Sequence, residues 1–288
     1  MGVGLLGSAL AQRLSEAGFQ VLAYDSDPSR TAMVSGQNLR FSDSARKVAA
    51  ECRRVVLCLP DSSVVNEVLW GSGPLAGSLS EGATVIDTTT GDPSDTLRTG
   101  QRLAERDISY MDATIVGSST QVREGASTLL VGGALAQFEA NRDVFSAWSD
   151  RVFHTGPIGS AALTKLLVNQ VLGLNRLALA ETLALAMGLE LDQESLLSIL
   201  KATPAYSRIM ENKGPKMIRG DFSPEAKLAQ HRKDVGLILE LGRRAGVPLP
   251  VSETHLEMLD LAISSGWGEL DNSAVIRAFI PADDKARP

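Results

Sequence analysis

The spacing of apolar and polar positions changes near the middle of the chain. From Gly2 to about Phe153, short apolar runs alternate with segments of helical spacing, which is typical of a parallel sheet covered by helices. From Ser160 onward, apolar residues recur at helical spacing and no run indicates a strand. The pattern predicts an α/β domain over residues 1–157 and an all-α domain over 158–288, joined by one long helix.

The α/β half contains five predicted strands and at least two predicted helices. The strands are Gln20 to Tyr24, Arg54 to Leu59, Thr84 to Asp87, Ser109 to Ala113 and Ser127 to Gly132, and the helices are Ser8 to Gly18 and Ser62 to Trp70. In the second half, the apolar run from Ser160 to Gly188 is interrupted by polar and charged residues, so we expect a buried helix and not a membrane span. The tail 281–288 is expected to be disordered.

A glycine-rich motif opens the chain. Gly2, Gly4 and Gly7 form G-x-G-x-x-G at the start of a helical pattern. Such glycines permit a tight turn and close approach of a pyrophosphate, and the amides of the following helix then face the phosphates. The motif predicts a dinucleotide site that includes Leu5 and Leu6, although a glycine-rich turn without a ligand is the alternative.

Asp25 strengthens the prediction of a dinucleotide site. It follows the predicted strand Gln20 to Tyr24, where a carboxylate can accept hydrogen bonds from a ribose diol. An aspartate at this place also repels a 2′-phosphate, so we expect NAD in preference to NADP. Arg30 leaves NADP open, because its guanidinium could bind that phosphate.

These features together predict a Rossmann-type, doubly wound domain, but one element of that fold is missing from the pattern. In such a domain the first strand precedes the glycine loop and lies at the centre of the sheet, whereas only Met1 precedes Gly2. Loss of a central strand would expose two unpaired edges. We therefore expect that the first strand is truncated in this sequence.

Composition and charge argue against several classes of function. Of the 288 residues, 34 are acidic and 28 basic, and the net charge of -6 gives no general attraction to nucleic acid or anionic lipid. The sequence opens without a secretory signal pattern, so we expect a cytoplasmic protein. His154, His231 and His255 have no metal-ligand spacing, and no metal site is expected.

Lys165 and Asn169 are the candidate catalytic pair. They are four residues apart at the start of the predicted long helix, so they project from one face, one turn apart. Burial in an apolar stretch tends to lower the pKa of a lysine, which suits it to exchange a proton near neutral pH. The alternative is a helix-end lysine whose ammonium reaches solvent.

Further motifs follow the glycine loop in a specific order. They are Leu59-Pro60, the D-x-S-T-like segment Asp87 to Thr90, the segment Asp112 to Ser118, the segment Gly159 to Asn169, and the segment Phe222 to Asp234, which ends in Lys233-Asp234. In this order they resemble the β-hydroxyacid dehydrogenases, the family of 3-hydroxyisobutyrate dehydrogenase, tartronate semialdehyde reductase and glyoxylate/succinic semialdehyde reductase. The resemblance covers nearly the whole chain.

The resemblance implies a role for each matched residue. Lys165 would be the general acid/base, Asn169 would position the substrate, and Gly117 and Ser118 would bind the substrate carboxylate. Leu59, Pro60, Thr90 and Lys233 would contact the cofactor, NAD or NADP. The reaction implied is the interconversion of a small β-hydroxyacid and its semialdehyde or oxo acid, catalysed by a homodimer or higher homo-oligomer with a helical domain like that of 6-phosphogluconate dehydrogenase.

Three positions depart from the family pattern. Thr114 replaces a proline and Val116 a serine in the substrate motif, and Val168 replaces the first of two asparagines in the catalytic motif. Val116 removes a hydroxyl that would help bind a carboxylate. Two alternatives therefore stay open: an imine or other carbonyl reductase with the same cofactor site, and a non-catalytic dinucleotide-binding scaffold.

Overall fold

The computed structural model describes residues 1–72 and 74–280, with the backbone alone at 31–33. The chain folds as two compact units, Met1–Lys165 and Leu166–Pro288. The predicted boundary at residue 157 falls just before the helix that contains the division between the units. The predicted tail 281–288 lies outside the described residues.

The first unit is an α/β domain. Its strands are β1 (Val21–Ala23), β2 (Leu39–Phe41), β3 (Arg54–Leu57), β4 (Thr84–Asp87), β5 (Ser109–Val116), β6 (Thr128–Gly132) and β7 (Arg151–Gly156). Its helices are α1 (Leu5–Glu16), α2 (Ala45–Glu51), α3 (Ser62–Trp70), α4 (Pro93–Ala104), α5 (Ser119–Arg123), α6 (Leu135–Ala140) and α7 (Arg142–Trp148). All five predicted strands and both predicted helices are present, with ends that differ by a few residues.

Strand pairing differs from the expected parallel sheet at one place. The strand order is β3-β4-β5-β6-β7, and every neighbouring pair is parallel except β5 and β6, which are antiparallel. A parallel crossover needs a dozen or more connecting residues, usually with a full helix, and the connection 117–127 holds only the short α5. The chain therefore reverses direction at this point.

Apolar side chains from both faces of this sheet form two cores. On β4, Ile86 packs in the cluster that contains Leu10 of α1, while its neighbour Val85 packs in the cluster that contains Leu69 of α3. Successive side chains of a strand point to opposite faces, so a strand that is covered on both sides is apolar throughout. This is the doubly wound arrangement that the sequence predicted.

The first two strands form a separate sheet. β1 pairs only with β2, in parallel, and β3 is the edge of the five-stranded sheet. Between β1 and β3 lies a cleft of about 360 Å³ lined mainly by apolar residues, and Met1 and Gly2 lie at one end of it.

The second unit is helical. It contains most of α8 (Ser160–Gly188), followed by α9 (Gln193–Lys201), α10 (Ile209–Arg219), α11 (Leu228–Ala245) and α12 (Pro250–Ser264). Its apolar core includes Leu183, Leu228, Val235 and Leu259. Between 166 and 280 the structure contains no β-strand, only the isolated bridge of Lys227 with Asp271, which confirms the predicted all-α domain.

Helix α8 is the one described helix whose length and apolar composition would suffice to cross a membrane. Its inward face, however, carries buried polar groups such as Asn169 and Arg176, and Leu179 and Leu183 pack in the core of the helical unit. These contacts are those of a core helix, as the sequence predicted.

Candidate active site

The glycine loop has the geometry that a pyrophosphate needs. Gly2 has a φ of 81°, and a Cβ added there would come within 2.2 Å of the Cys58 carbonyl oxygen. A Cβ at Gly7 would come within 1.9 Å of the Gly2 carbonyl oxygen, whereas a Cβ at Gly4 would meet nothing within 4 Å. Gly2 and Gly7 thus close the turn, and Gly4 leaves open space beside the chain.

The same loop presents backbone donors at the start of α1. Gly4 is the N-cap residue of α1, and no side chain caps it. The amides of the first turn, which include those of Leu5 and Leu6, therefore lie at an N-terminus where an anion is favoured. These residues fit the pyrophosphate of a dinucleotide.

Asp25 lies just beyond β1 and is bound to the glycine loop. One carboxylate oxygen accepts the Val3 N–H at 2.6 Å, and the other accepts the Asp27 N–H at 2.9 Å. Arg30, the residue that left NADP open, forms an ion pair with Asp27 at 3.3 Å. The Asp25 carboxylate thus lies beside the glycine loop, and the Arg30 guanidinium is paired with Asp27.

The loops after β3 and β4 are bound to each other. Leu59, which precedes Pro60, donates its N–H to the Thr89 hydroxyl at 3.1 Å, and Thr88 donates its hydroxyl to the Leu57 carbonyl at 2.8 Å. Carboxyl ends of parallel strands lie at one edge of a sheet, where ligands bind in doubly wound folds. Thr90, in the same loop, is half-buried there.

Asp87 fixes the loop after β4 from inside the protein. Its carboxylate accepts the Tyr110 hydroxyl at 2.7 Å and the Thr89 N–H at 2.9 Å. Burial raises the pKa of Asp87 to about 6, because the charged form loses its hydration. The aspartate of the D-x-S-T-like segment therefore supports the loop in this structure.

Asp112 connects the sheet to the helix that carries Lys165. Its two carboxylate oxygens accept the N–H groups of Gly159 and Ala162, each at 2.8 Å, at the start of α8. Burial raises the pKa of Asp112, and these two amides oppose that rise. Thr114 adds a hydrogen bond from its hydroxyl to the Ala161 carbonyl at 3.2 Å, a bond that the proline of the family motif could not form.

Lys165 and Asn169 lie one turn apart on α8, and both side chains are buried. The Asn169 carboxamide donates to an oxygen of the buried Asp234 at 2.8 Å. The other oxygen of Asp234 lies 3.1 Å from the Lys233 ammonium. Asp234 therefore orients the Asn169 carboxamide, a role that the sequence did not reveal because the two residues are distant in the chain.

Ser118 caps the helix that follows it. It is the N-cap of α5, where its hydroxyl oxygen accepts the Gln121 N–H at 3.2 Å and its N–H donates to the Gln121 side chain at 2.9 Å. The Ser118 N–H, at a residue expected to bind the substrate carboxylate, therefore already donates to a side chain of its own helix. Gly117, beside it, has a φ of 148°, which requires glycine.

Two of the three histidines, His231 and His255, lie beside Gly173 of α8, one helical turn beyond Asn169, and His154 lies in β7. His154 bonds to the Gly133 carbonyl at 2.8 Å, and His231 and His255 pack against each other with ring centroids 5.1 Å apart. Burial lowers the pKa of His255 to about 4. Within residues 1–72 and 74–280, no group of three or more His, Cys, Asp or Glu side chains is arranged to hold a metal ion.

Two protein-family models match the chain in succession. The first, described as the NAD binding domain of 6-phosphogluconate dehydrogenase, matches residues 1–156. The second, described as NAD-binding of NADP-dependent 3-hydroxyisobutyrate dehydrogenase, matches residues 159–279. Together they span both units.

A curated protein gives the same family match, and solved structures give the same fold. The 2-(hydroxymethyl)glutarate dehydrogenase of Eubacterium barkeri is 31% identical over 97% of this chain and 93% of its own. The crystal structure of 3-hydroxyisobutyrate dehydrogenase from Salmonella typhimurium has a TM-score of 0.86 at 24% identity, over 96% of this chain and 97% of that one. An imine reductase from Pseudomonas sp. has a TM-score of 0.63 at 22% identity, over 96% of each chain.

Proposed function

The chain belongs to the β-hydroxyacid dehydrogenase family of NAD(P)-dependent enzymes, and from this premise we propose that it interconverts a small β-hydroxyacid and its semialdehyde or oxo acid, with Lys165 as general acid/base. The observation that carries the proposal is the buried Lys165, one helical turn from an asparagine that Asp234 holds in place.

Lys165 exchanges the proton of the substrate hydroxyl. In oxidation, the neutral amine removes this proton as the carbonyl forms, and in reduction the ammonium returns it. A nicotinamide dinucleotide held at the glycine loop would supply the hydride chemistry of this reaction. Asn169 donates one amide hydrogen to Asp234, so its other amide hydrogen and its oxygen have a fixed direction in which to contact the substrate.

Gly117 and Ser118 bind the carboxylate of the substrate in this proposal. Because the Ser118 N–H donates to Gln121, the Ser118 hydroxyl hydrogen and the Gly117 N–H are the donors that we assign to the carboxylate. Val116 supplies no hydroxyl. We therefore expect weaker binding of the carboxylate than a serine at residue 116 would give.

For the cofactor, we propose NAD in preference to NADP. The Asp25 carboxylate beside the glycine loop repels a 2′-phosphate, and Arg30 is paired with Asp27. Gly2, Gly4, Leu5, Leu6 and Gly7 would hold the pyrophosphate. Fluorescence titration is expected to give a lower Kd for NADH than for NADPH.

Four further residues complete the proposed cofactor site. Leu59, Pro60 and Thr90 belong to the loops at the carboxyl ends of β3 and β4, and Lys233 is held by its ion pair with Asp234. We also retain, as proposals, a homo-oligomer and a cytoplasmic location.

Substitution of Lys165 tests the proposed chemistry. Lys165→Ala removes the amine, and Lys165→Arg keeps a positive charge on a group that stays protonated at neutral pH. If Lys165 exchanges protons, both variants should lose roughly 10² to 10⁴ in turnover, while the Kd for NADH changes little. Near-normal turnover in Lys165→Ala, on the substrate that the unmodified protein uses best, would contradict the assignment.

A substrate screen separates the proposal from its alternatives. Small hydroxyacids and semialdehydes should be turned over with NAD(H) or NADP(H), followed by absorbance of the reduced cofactor. Faster turnover of cyclic imines or uncharged carbonyl compounds would favour the alternative of an imine or other carbonyl reductase. That alternative is motivated by Thr114 and Val116, which stand where the family motif has proline and serine. Failure to bind either dinucleotide would favour the scaffold.

A further inference from the structure

The loop between β5 and β6 contains a side-chain acceptor at the residues that we assigned to the substrate carboxylate. The Gln121 carboxamide oxygen accepts the Ser118 N–H at 2.9 Å. A carboxamide oxygen and a carboxylate oxygen are both acceptors with two lone pairs, so either can bind in front of the same backbone donor. The Gln121 oxygen therefore lies where an oxygen of a substrate carboxylate could bind.

This contact follows from the local sequence. Ser118 is the N-cap of α5 and Gln121 lies three residues later, which is the spacing of a capping box. In this box the Ser118 hydroxyl oxygen accepts the Gln121 N–H at 3.2 Å, while the Gln121 side chain accepts the Ser118 N–H. The fold itself thus brings the carboxamide to the Ser118 N–H.

The carboxamide also lies beside Gly117. A Cβ added at Gly117 would come within 3.0 Å of the Gln121 carboxamide oxygen and within 3.2 Å of the Ser127 Cβ. Gly117 is exposed, whereas Ser118 and Gln121 are half-buried. The Gln121 oxygen is therefore next to both residues that we assigned to the carboxylate, beside a stretch of exposed backbone.

The Ser118 N–H would otherwise be a third donor for the carboxylate, in addition to the Ser118 hydroxyl and the Gly117 N–H. A charged carboxylate forms a hydrogen bond roughly twice as strong as that of a neutral acceptor. The Gln121 carboxamide, however, is already attached to the protein, so it loses less freedom than a free ligand when it binds. The carboxamide therefore reduces what an acid can gain from this donor.

We propose that Gln121 is a specificity-determining residue, which weakens the preference of this protein for acids over uncharged substrates of the same shape. An acid gains the Ser118 N–H only if it displaces the carboxamide, whereas an uncharged analogue binds with the capping box intact. The inference rests on the proposed function, because it assumes that a substrate carboxylate binds at Gly117 and Ser118.

Substitutions at Gln121 test this competition in both directions. Gln121→Met removes the acceptor but keeps a side chain of similar length and high helix propensity, and the backbone N–H can still donate to the Ser118 hydroxyl. Gln121→Glu keeps the cap and places a carboxylate at the Ser118 N–H, where it repels a second carboxylate. Gln101→Met, at an exposed glutamine of α4, is the matched control.

The probes are 3-hydroxypropanoate and its uncharged amide, 3-hydroxypropanamide. NMR follows the Ser118 amide during titration with each compound in the presence of NADH, and no turnover occurs because the hydroxyacid and NADH are both reduced. We expect Gln121→Met to lower the Kd of the acid about tenfold and Gln121→Glu to raise it about tenfold. The Kd of the amide, and both Kd values in Gln101→Met, should change by less than about twofold.

Two results would overturn the proposal. One is an equal change in the Kd of the acid and of the amide in both Gln121 variants, including no change at all. The other is a failure of the acid to bind to the unmodified protein and to Gln121→Met. Because Gln121→Glu keeps the cap, it tests the competition even if Gln121→Met weakens α5.

Steady-state kinetics distinguishes this inference from the proposed function. If the protein oxidises the acid with NAD, Gln121→Met should lower its KM and leave kcat largely unchanged, because the gained hydrogen bond stabilises bound substrate and transition state alike. The expected Kd values without any oxidation would contradict the proposed dehydrogenase function and not the role of Gln121. Oxidation with equal Kd values in all proteins would contradict only the role of Gln121.

Discussion

Two buried aspartates on neighbouring strands, Asp87 at the end of β4 and Asp112 within β5, are paired in register but act differently. Asp87 holds the loop after β4 through Thr89 and Tyr110, and Asp112 holds the first turn of α8. Both carboxylates lose hydration, so burial raises the pKa of each. The surroundings of each side chain, more than its residue type, determine its role.

The buried Asp87 should make stability depend on pH. Its pKa in the folded protein is about 6, above the usual value of 3.8. Between these values the folded protein binds a proton that the unfolded chain releases, so the free energy of unfolding falls as pH rises through this window, by up to about 3 kcal/mol. Urea unfolding between pH 4 and 7 measures this slope.

Asp87→Asn should reduce that slope, because the amide cannot ionise while its oxygen can still accept a hydrogen bond from Tyr110 or Thr89. Asp150→Asn, at an exposed aspartate, is the matched control and should leave the slope unchanged. An Asp87→Asn protein with the full slope would show that this carboxyl group is not the source.

Among single residues, the sequence predicts those whose role depends on neighbours close in the chain. The glycine loop is recognisable because the tight turn at Gly2 and Gly7 depends on residues close in the chain. The contact between Asn169 and Asp234 spans 65 residues, and that between Asp112 and Gly159 spans 47, so spacing could not reveal either. The capping box of α5, which engages the Ser118 amide, is local and has the S-x-x-Q spacing typical of such a cap, yet it was not predicted.

Helix α8 is the element on which the proposed chemistry depends. Its first turn is fixed by Asp112 and Thr114 of β5, and its interior carries Lys165 and Asn169. The position of Lys165 therefore depends on a link between a strand and a helix. The sequence also predicted α1, α3 and five of the seven strands, because strand and helix periods differ, but it did not place the remaining helices one by one.

Breaking the link between β5 and α8 should reduce both stability and turnover. Asp112→Ala removes two charge-assisted hydrogen bonds to amides of the first turn and should lower the free energy of unfolding by about 2 to 4 kcal/mol. Turnover should also fall, because the first turns of α8 lose their anchor. Urea unfolding and steady-state kinetics measure the two effects.

Thr114→Val is the matched control, since it removes one neutral hydrogen bond of the same link. It should cost about 1 kcal/mol and leave most of the turnover. If Asp112→Ala were no less stable than Thr114→Val, the link would not anchor α8.

The sequence did not predict the strands β2 and β7. No residue of β7 is buried, so it lacks the apolar run that marks a core strand. β2 has only three residues, and its central Arg40 is exposed, so no apolar run marks it. The antiparallel direction of β6 follows from the length of the connection before it, which apolar spacing does not report.

For the whole molecule, the main unexplained surface is the outer face of α8. Leu163, Leu167, Val171 and Leu185 recur at helical spacing and are all exposed, Val171 to 59%, and Leu189, directly after the helix, is exposed as well. Exposed apolar stripes of this kind mark interfaces in soluble proteins. This face supports the proposed homodimer or higher homo-oligomer.

Charges on this face should dissociate the oligomer. The double substitution Leu167→Glu and Val171→Glu places two carboxylates where apolar contact is expected, and light scattering should then report a monomer. Leu135→Glu, at an exposed leucine of α6, is the control and should keep the oligomer. A monomer before any substitution would contradict the proposed interface.

For the whole molecule, the fold class was predictable. The apolar pattern shows strands that alternate with helices in the first half and only helical spacing in the second half. The division of the sheet was not predictable, because the apolar pattern gave no sign that β1 and β2 would form a sheet of their own beside a cleft.

The central claim is that Lys165 carries the proton, and chemical rescue of Lys165→Ala tests it most directly. Methylamine and ethylamine should restore part of the lost turnover in proportion to their concentration, while tetramethylammonium, which has the charge but no proton, should restore none. Equal rescue by tetramethylammonium, or turnover in Lys165→Ala that needs no amine, would contradict the claim.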